Sequence, residues 1–307
     1  MASSSDLSQL EVFVRVVTDG GFTAAADGLG VSKSFVSRQI GHLEDRLGAR
    51  LLNRTTRKLT LTDIGAVFYE RCRRILDELA EAEGAVTNLQ SAPRGMLRIA
   101  APMSFGVGHV APAVAEFLHR HPELSVNIDF SDRRVDLLDE GFDLAIRIGA
   151  LADSSMIARK LATTHLVVVA SPAYLAAHPE IETPADLRDH ECLQYAYSPT
   201  GQQWRLTDGK TTVTVEATGR VTGNNGEGLA QFAAAGLGCA LMPDFIIAGP
   251  LTRGEVVRVL PGWCQASAVS AVYPHNRHLS AKVRVFVDFL AERWSDPPWQ
   301  TEDCQRG

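Results

Sequence analysis

The chain has 307 residues, of which 45% are hydrophobic, and its formal net charge is −6. This length and apolar content are sufficient for two or three domains with hydrophobic cores, and they exclude a disordered chain. No apolar run has the length of a membrane span, and the first ten residues lack the basic and apolar segments of a signal peptide. Five scattered cysteines without a Cys-x-x-Cys pair predict a reducing cytoplasm and neither a zinc site nor a disulfide framework. They leave a redox-sensing cysteine open beside the commoner buried thiol.

The N-terminal helices have the pattern of a helix-turn-helix. The sequence predicts a helix from about Leu7 to Asp19, a second from Thr23 to Leu29, and a third that begins after the N-cap residue Ser32. The third helix has one apolar face, and its opposite face carries small polar and basic side chains that can approach base edges in a DNA major groove. A solvated helical hairpin is the alternative for these helices alone. The residues predicted here to contact DNA are Thr23, Ser32, Lys33, Ser34, Ser37 and Arg38.

A basic hairpin is predicted after the third helix. Alternating leucines define its two strands, and its Thr-rich loop suits contact with phosphates or the minor groove, so Arg54 and Arg57 are further candidate DNA contacts. Residues 32–61 contain seven basic and two acidic residues, although the whole chain is acidic. Residues 1–31 add one basic and four acidic residues, so a single copy is expected to bind DNA weakly.

The order of residues in this region resembles the DNA-binding domain of LysR-type transcriptional regulators. The resemblance implies a winged helix-turn-helix domain over residues 6–63, with the helix-turn-helix at about 22–41. Many members carry Gln-Pro after the capping serine, where this chain has Lys33-Ser34. That pair resembles a subgroup with the recognition-helix sequence Ser-Lys-Ser-x-Val-Ser-Arg and leaves the operator sequence open. The matching segments are LEVFVRVV at 10–17, FTAAA at 22–26, VSRQI at 36–40, LEDRL at 43–47 and LLNRTT at 51–56.

A long helix is predicted over residues 62–90, ending at the break around Pro93. From Cys72 onward its apolar residues have heptad spacing, and such a stripe on a projecting helix needs a partner. A dimerisation helix is the functional interpretation, packing on its own chain is the alternative, and the resemblance implies the dimerising linker helix of the family. The apolar positions of the stripe are Ile64, Phe68, Cys72, Ile75, Leu79, Ala82, Val86 and Leu89.

After Gly95, predicted strands alternate with helices, which is typical of parallel sheets with crossover connections. This half resembles the effector-binding domain of the same family, which shares the fold of type 2 periplasmic binding proteins. The matches include LRIAAP at 97–102, EGFDLAIRIG at 140–149, GLGCALMP at 236–243 and AKVRVFVDFL at 281–290. The predicted strands are Met96–Ala101, Val126–Phe130, Asp143–Ile148, Leu166–Ala170, Thr212–Thr218, Cys239–Met242 and Val269–Tyr273.

The predicted fold class is therefore multidomain α+β: an N-terminal winged helix-turn-helix, a long linker helix and a C-terminal α/β effector-binding domain with two subdomains. The chain is expected to cross between the subdomains near Thr163 and near Ala266. The Pro-rich, polar C-terminus is expected to be a flexible tail. The boundaries implied are 94–295 for the effector-binding domain, 95–162 plus 268–295 for subdomain I, 164–265 for subdomain II and 296–307 for the tail.

Ligands of open α/β sheets bind at the carboxyl ends of the strands. There, helix N-terminal amides and the Ser104 hydroxyl could hold an anion, so the predicted effector is a small carboxylate-bearing or similarly polar molecule, such as an organic acid. The alternatives are a helix cap for Ser104, surface ion pairs for the two arginines and turn residues for the two asparagines. The predicted effector-binding residues are Met103, Ser104, Phe105, Ser131, Arg133, Arg147, Asn224, Asn225 and Pro243.

Two other classes of function are disfavoured. The sequence has no Gly-x-Ser-x-Gly, His-Glu-x-x-His or P-loop motif and no dinucleotide fingerprint, so neither catalysis, nor a cofactor, nor a metal is predicted. A free-standing solute-binding protein would need an export signal and no winged domain. The prediction is a bacterial, cytoplasmic regulator that binds an interrupted inverted repeat in double-stranded DNA. It would pair through its long helix, and the resemblance implies that two such pairs assemble into a tetramer, with RNA polymerase as a candidate partner.

Overall fold

The structure, a computed structural model, describes residues 4–54, 59–87, 93–133, 135–149, 156–275 and 279–299. The chain divides into two compact units, residues 1–91 and residues 92–307. Among the helices so described, none is both long and apolar enough to cross a membrane.

The first unit is built from four helices and a two-stranded hairpin. Helix α3 begins after Ser32, whose hydroxyl accepts a hydrogen bond from the backbone N–H of Phe35 (3.2 Å), and ends at Gly48 in a left-handed conformation. The elements are α1 Ser4–Thr18, α2 Phe22–Leu29, α3 Lys33–Leu47, β1 Leu52–Arg54, β2 Leu59–Leu61 and α4 Asp63–Thr87.

The core of this unit lies between α1, α2, α3 and the start of α4. The apolar face of α3 is buried at Val36, Ile40 and Leu43, as its 3.6-residue period predicts. Glu44, on the same helix, holds the hairpin, because its Oε1 accepts the N–H groups of Leu51 (2.8 Å) and Leu52 (3.1 Å). The hairpin is therefore attached to the recognition helix by a carboxylate as well as by packing.

The apolar stripe of helix α4 is divided along its length. Phe68, Tyr69 and Cys72 pack into the core of their own unit, so Phe68 and Cys72 fit the alternative of packing on the same chain and are not part of a pairing surface. A Cβ at Gly65 would lie 2.0 Å from the carbonyl oxygen of Leu51, which shows how closely α4 passes the hairpin. Four other apolar side chains of the helix are exposed: Ile64 (62% exposed), Val67 (61%), Ile75 (45%) and Leu79 (37%).

The first part of the second unit has strands β3 Gly95–Ala101, β4 Leu124–Phe130, β5 Leu144–Ile148 and β6 Met156–Ala170, with helices α5 Met103–Phe105, α6 Ala111–Arg120 and α7 Leu137–Glu140. A π-helical turn, Gly106–Val110, joins α5 to α6. A Cβ at Gly106 would lie 2.4 Å from the Phe130 ring, so this turn approaches β4 closely.

The second part contains α8 Pro172–Ala177, a 3-10 turn Pro184–Asp189, β7 Cys192–Tyr195, β8 Gln203–Thr207, β9 Thr212–Glu216, β10 Thr222–Gly223, α9 Gly226–Ala234, β11 Cys239–Pro243, α10 Asp244–Thr252, β12 Val257–Val259, β13 Gln265–Pro274 and α11 Ala281–Arg293. Nine of the described strands form one sheet in the order β10-β7-β11-β6-β13-β5-β3-β4, with β12 beside β6, while β8 and β9 form a separate hairpin.

The long strands β6 and β13 are shared by both halves of this sheet. They pair antiparallel from Met156 opposite Pro274 to Leu166 opposite Gln265, with a register shift between Val269 and Ser270. On one side of the pair, β5, β3 and β4 cover a core shared with α6 and α11; on the other, β11, β7 and β10 pack with α9. Both expected crossing points lie within this ladder.

The C-terminal segment differs from the expectation of a flexible tail over residues 296–307. Trp299 is 3% exposed, its Nε1–H donates to the carbonyl oxygen of Thr163 (3.1 Å), and its ring centroid lies 5.0 Å from that of Phe105. The prediction is wrong for residue 299, because one buried aromatic side chain anchors a segment whose composition is otherwise polar. Residues 300–307 lie outside the described residues.

Candidate functional site

The polar face of α3 is available to solvent. Lys33, Ser34 and Arg38 are exposed and Ser37 is half-buried, while the opposite face of the helix forms the core. Neither Lys33 nor Arg38 forms an ion pair with a described residue, so both charges are free to contact phosphates or bases. The Ser32 hydroxyl caps the helix and lies 2.9 Å from the Ser34 hydroxyl, which gives it a structural role.

The remaining candidate DNA contacts lie on α2 and the hairpin. Thr23 is exposed in the first turn of α2. Arg54 is the last residue of β1, where it pairs with Leu59. Arg57 lies outside the described residues. The loop between the two hairpin strands, residues 55–58, lies outside the described residues.

Two loops of subdomain I meet at the carboxyl ends of the adjacent parallel strands β3 and β4. The N–H of Met103, after β3, donates to the carboxylate of Asp132, after β4 (2.9 Å). The Ser104 hydroxyl is buried and has no hydrogen-bond partner in the described part of the chain. Ser131 accepts a hydrogen bond from the backbone N–H of Arg133 (3.3 Å). A buried hydroxyl without a partner costs free energy, which a polar ligand would recover.

Phe105 lies in the core. Its side chain is completely buried, with its ring centroid 5.2 Å from that of Phe245 and 5.3 Å from that of Trp294. The helical turn after β3 directs the ring into the core, and its contact with the effector stays a prediction.

The two arginines support the loop that follows β4. Arg133 forms a bidentate ion pair with Glu140, which raises the pKa of the guanidinium and lowers that of the carboxyl. Arg147 donates to the backbone carbonyls of Val135 (3.2 Å) and Arg133 (3.4 Å). The geometry therefore favours the ion-pair alternative for Arg133. Because an ion pair near the surface contributes little free energy, Arg133 could leave Glu140 for an anionic ligand at little energetic cost.

The candidates in subdomain II lie at the starts of two helices. The Asn225 side chain caps α9 by accepting the N–H of Gly228 (2.9 Å), a structural role that differs from the turn residue given as the alternative. Asn224 is exposed, and the partly buried Pro243 precedes α10. Asn224 is therefore the freer of the two amides to meet a ligand.

Asp132 and Tyr195, which are not among the predicted site residues, interact between the two subdomains. The hydroxyl of Tyr195, at the end of β7 in subdomain II, is close enough to the carboxylate of Asp132 in subdomain I for each group to affect the pKa of the other. Burial raises the pKa of Asp132, and burial together with the Asp132 charge raises the pKa of Tyr195. The ring centroid of Tyr197 lies 6.0 Å from that of Tyr195, and the Tyr197 hydroxyl contributes to the raised pKa of Arg133. Asp132 lies between two predicted effector-binding residues, Ser131 and Arg133, so the sequence pointed to its position. Tyr195 belongs to a strand that the sequence did not predict.

Two grooves lie outside this cleft. One, of about 560 Å³, is lined by residues of α8 and β12, including His178 and Arg258. The other, of about 320 Å³, lies beside His109 and the end of α11. Neither groove is lined by a predicted effector-binding residue.

The described cysteines are buried. Burial raises the pKa of Cys72 to about 11 and that of Cys239 to about 12, and it raises the pKa of Cys192 further. Cys264 is also buried, and Cys304 lies outside the described residues. A thiol with a raised pKa holds little thiolate, so Cys72, Cys192 and Cys239 fit the buried-thiol alternative, and Cys264 fits it by its burial.

The comparisons with known proteins follow the same division of the chain. Residues 7–66 match the family described as bacterial regulatory helix-turn-helix protein, lysR family, and residues 90–295 match the LysR substrate binding domain. An HTH-type transcriptional regulator of Xanthomonas campestris pv. campestris is 40% identical over 97% of this chain and 89% of its own. The regulator PtxR of Pseudomonas aeruginosa is 37% identical over 96% and 95%.

The fold also occurs in solved structures of full-length relatives. AphB, a Vibrio cholerae virulence activator of the LTTR family, has a TM-score of 0.57 and 33% identity, over 93% of this chain and 98% of its own. A DNA-binding helix-turn-helix and a two-subdomain α/β domain in one chain define a transcription factor that carries its own sensory domain. The chain belongs to the LysR-type transcriptional regulators. It is a DNA-binding regulator and not an enzyme, so the predicted family, fold class and function are confirmed.

Proposed function

We propose that the protein acts in the cytoplasm and reads an interrupted inverted repeat, with Lys33, Ser34, Ser37 and Arg38 directed at bases and phosphates. The observation that carries this proposal is the exposed polar face of α3, which lies opposite a buried apolar face and whose Lys33 and Arg38 form no ion pair with the residues that the structure describes. The recognition-helix sequence Ser-Lys-Ser-x-Val-Ser-Arg would select the operator of its subgroup, and Arg54 and Arg57 would contact the DNA backbone.

Pairing of two copies through α4 would supply the second DNA-binding domain that an inverted repeat requires. The four exposed apolar side chains on one face of the helix support this step, since burying a large aliphatic side chain contributes about 1.5–3 kcal/mol. Exposed Val107 (56%) and Phe232 (41%), which lie in different subdomains, are candidate contacts for assembling dimers into a tetramer. RNA polymerase is the candidate partner of the DNA-bound assembly.

The effector-binding cleft lies between the subdomains in this proposal. Met103, Ser104, Ser131 and Asn224 would line it, and the unpartnered Ser104 hydroxyl supports a ligand with hydrogen-bonding groups, such as an organic acid. Asp132 already accepts the N–H of Met103, so a carboxylate effector would displace it from that donor. Effector binding would shift the population of subdomain orientations, and with it the spacing of the DNA readers.

A gel-shift assay on the upstream region of the protein's own gene tests DNA reading. Arg38→Ala is expected to weaken binding by about tenfold to a hundredfold, the value of a good base contact. Arg205→Ala, which removes an exposed arginine of the other unit, is the matched control. Equal affinities of the two variants would contradict the assignment of α3.

A thermal-shift screen tests the class of effector. Organic acids are expected to stabilise the wild-type protein, and Ser104→Ala is expected to reduce that shift. Stabilisation by cationic or apolar compounds alone would contradict the proposal.

A further inference from the structure

Five aromatic side chains from three parts of the second unit form one cluster. Phe105 and His109 come from the helical turn after β3, Phe245 from α10 of subdomain II, and Trp294 and Trp299 from the C-terminal end of the chain. The Trp299 ring centroid lies 4.6 Å from that of His109 and 5.0 Å from that of Phe105, both at steep angles. Such edge-to-face packing has a preferred geometry, so the cluster resists sliding.

The cluster lies against the strand on which the chain passes between the subdomains. The indole N–H of Trp299 donates to the carbonyl oxygen of Thr163 in β6. The next residue, Thr164, is fully buried and donates its hydroxyl to Asp244 (2.5 Å), at the start of α10. Asp244 also accepts the backbone N–H groups of His165 (3.1 Å) and Phe245 (2.9 Å). The crossing strand is therefore held by the C-terminal segment through Trp299 and by subdomain II through Asp244.

We propose that Trp299 is a hinge clamp, a positioning residue that sets the relative orientation of the two subdomains. Its indole contacts Phe105 of subdomain I, whose ring in turn contacts Phe245 of subdomain II, and it bonds to the strand that joins the two. A change in the angle between the subdomains must move these rings past one another or release the indole from Thr163.

The same contacts connect the hinge to the cleft. Phe105 follows Ser104 directly, is completely buried, and precedes a π-helical turn, a local irregularity that often occurs at functional sites. A shift of the Ser104 loop therefore displaces the Phe105 ring against Trp299 and Phe245. This consequence rests on the proposed function, whereas the clamp itself depends on the subdomain geometry and is testable without an effector.

The test measures the distance between the subdomains by pulsed electron spin resonance in the full-length protein. Spin labels are placed at Asp139→Cys and Lys210→Cys, two exposed positions in different subdomains, with Cys304 replaced by serine throughout. Labelled protein is diluted with excess unlabelled protein, so that only distances within one chain are read. Trp263→Ala, which removes a partly buried tryptophan from the core of subdomain II, is the matched control.

Trp299→Ala is expected to add a second distance, displaced by more than about 2 Å, the size that marks domain rearrangement. Trp299→Phe removes the donated hydrogen bond and keeps a ring, so it is expected to show the same distance at lower population. Trp263→Ala is expected to retain the wild-type distribution. The clamp is refuted if both Trp299 variants retain the wild-type distribution, or if Trp263→Ala changes it equally.

Discussion

The attachment of the hairpin to α3 through Glu44 can be tested by removing the carboxylate. Its Oε1 accepts two N–H groups, of Leu51 and Leu52, and both residues are buried. Each buried donor left unsatisfied costs about 1–3 kcal/mol, so Glu44→Ala is expected to destabilise the closed hairpin by about 3 kcal/mol. Since 1.4 kcal/mol is a factor of ten, local opening should increase on the order of 100-fold.

Amide hydrogen exchange of the Leu51–Leu52 segment, followed by mass spectrometry in the full-length protein, measures this opening. Glu44→Gln retains an acceptor oxygen and loses only the charge, so its exchange should accelerate by less than about tenfold. Glu70→Ala, an exposed change on α4, should leave the segment unaffected. If Glu44→Ala exchanges at the wild-type rate, the two hydrogen bonds do not hold the hairpin.

Three further changes have defined outcomes. Tyr195→Phe removes the hydroxyl that interacts with Asp132 across the cleft and should lower the free energy of unfolding of the second unit by about 1–3 kcal/mol, whereas the exposed Tyr197→Phe should not; equal denaturation midpoints would contradict this. Ile75→Asp should reduce the molar mass in sedimentation by weakening α4 pairing, whereas Leu138→Asp, at a more exposed position on the other unit, should leave it unchanged. Burial lowers the pKa of His190 below 6.5, so the folded form binds fewer protons than the unfolded chain and stability falls as pH drops below 6.5. His190→Gln should reduce that acid sensitivity in melts between pH 7 and about pH 5.

Local patterns in the sequence predicted the elements whose stability is local. The face of α3 follows from helical spacing around Val36 and Ile40, and its start follows from the capping serine. Strands β3, β4 and β5 lie within a few residues of their predicted bounds, because β3 and β5 contain runs of buried apolar residues and β4 alternates apolar with polar residues.

Elements that depend on distant pairing were missed. The sequence predicted only Leu166–Ala170 of β6, since the preceding residues alternate with charged and polar side chains and become a strand by pairing with β13. Strand β7 has four residues and is held by parallel partners far along the chain, so Tyr195 could not be placed opposite Asp132. The direction of the Phe105 ring depends on a π-helical turn, which the sequence did not predict. The composition of the C-terminal segment is polar, so it could not show that Trp299 is buried.

The buried cysteines can report on the unfolding of each unit, because they react with an alkylating reagent only when they become exposed. A thiol with a pKa of about 11 is ionised in roughly one molecule in ten thousand at pH 7, and its burial also excludes a reagent. Alkylation of Cys72 therefore follows exposure of the first unit, whereas Cys192, Cys239 and Cys264 report on the second. A single reagent and a mass spectrum can thus time the unfolding of the DNA-binding and effector-binding parts separately in one sample.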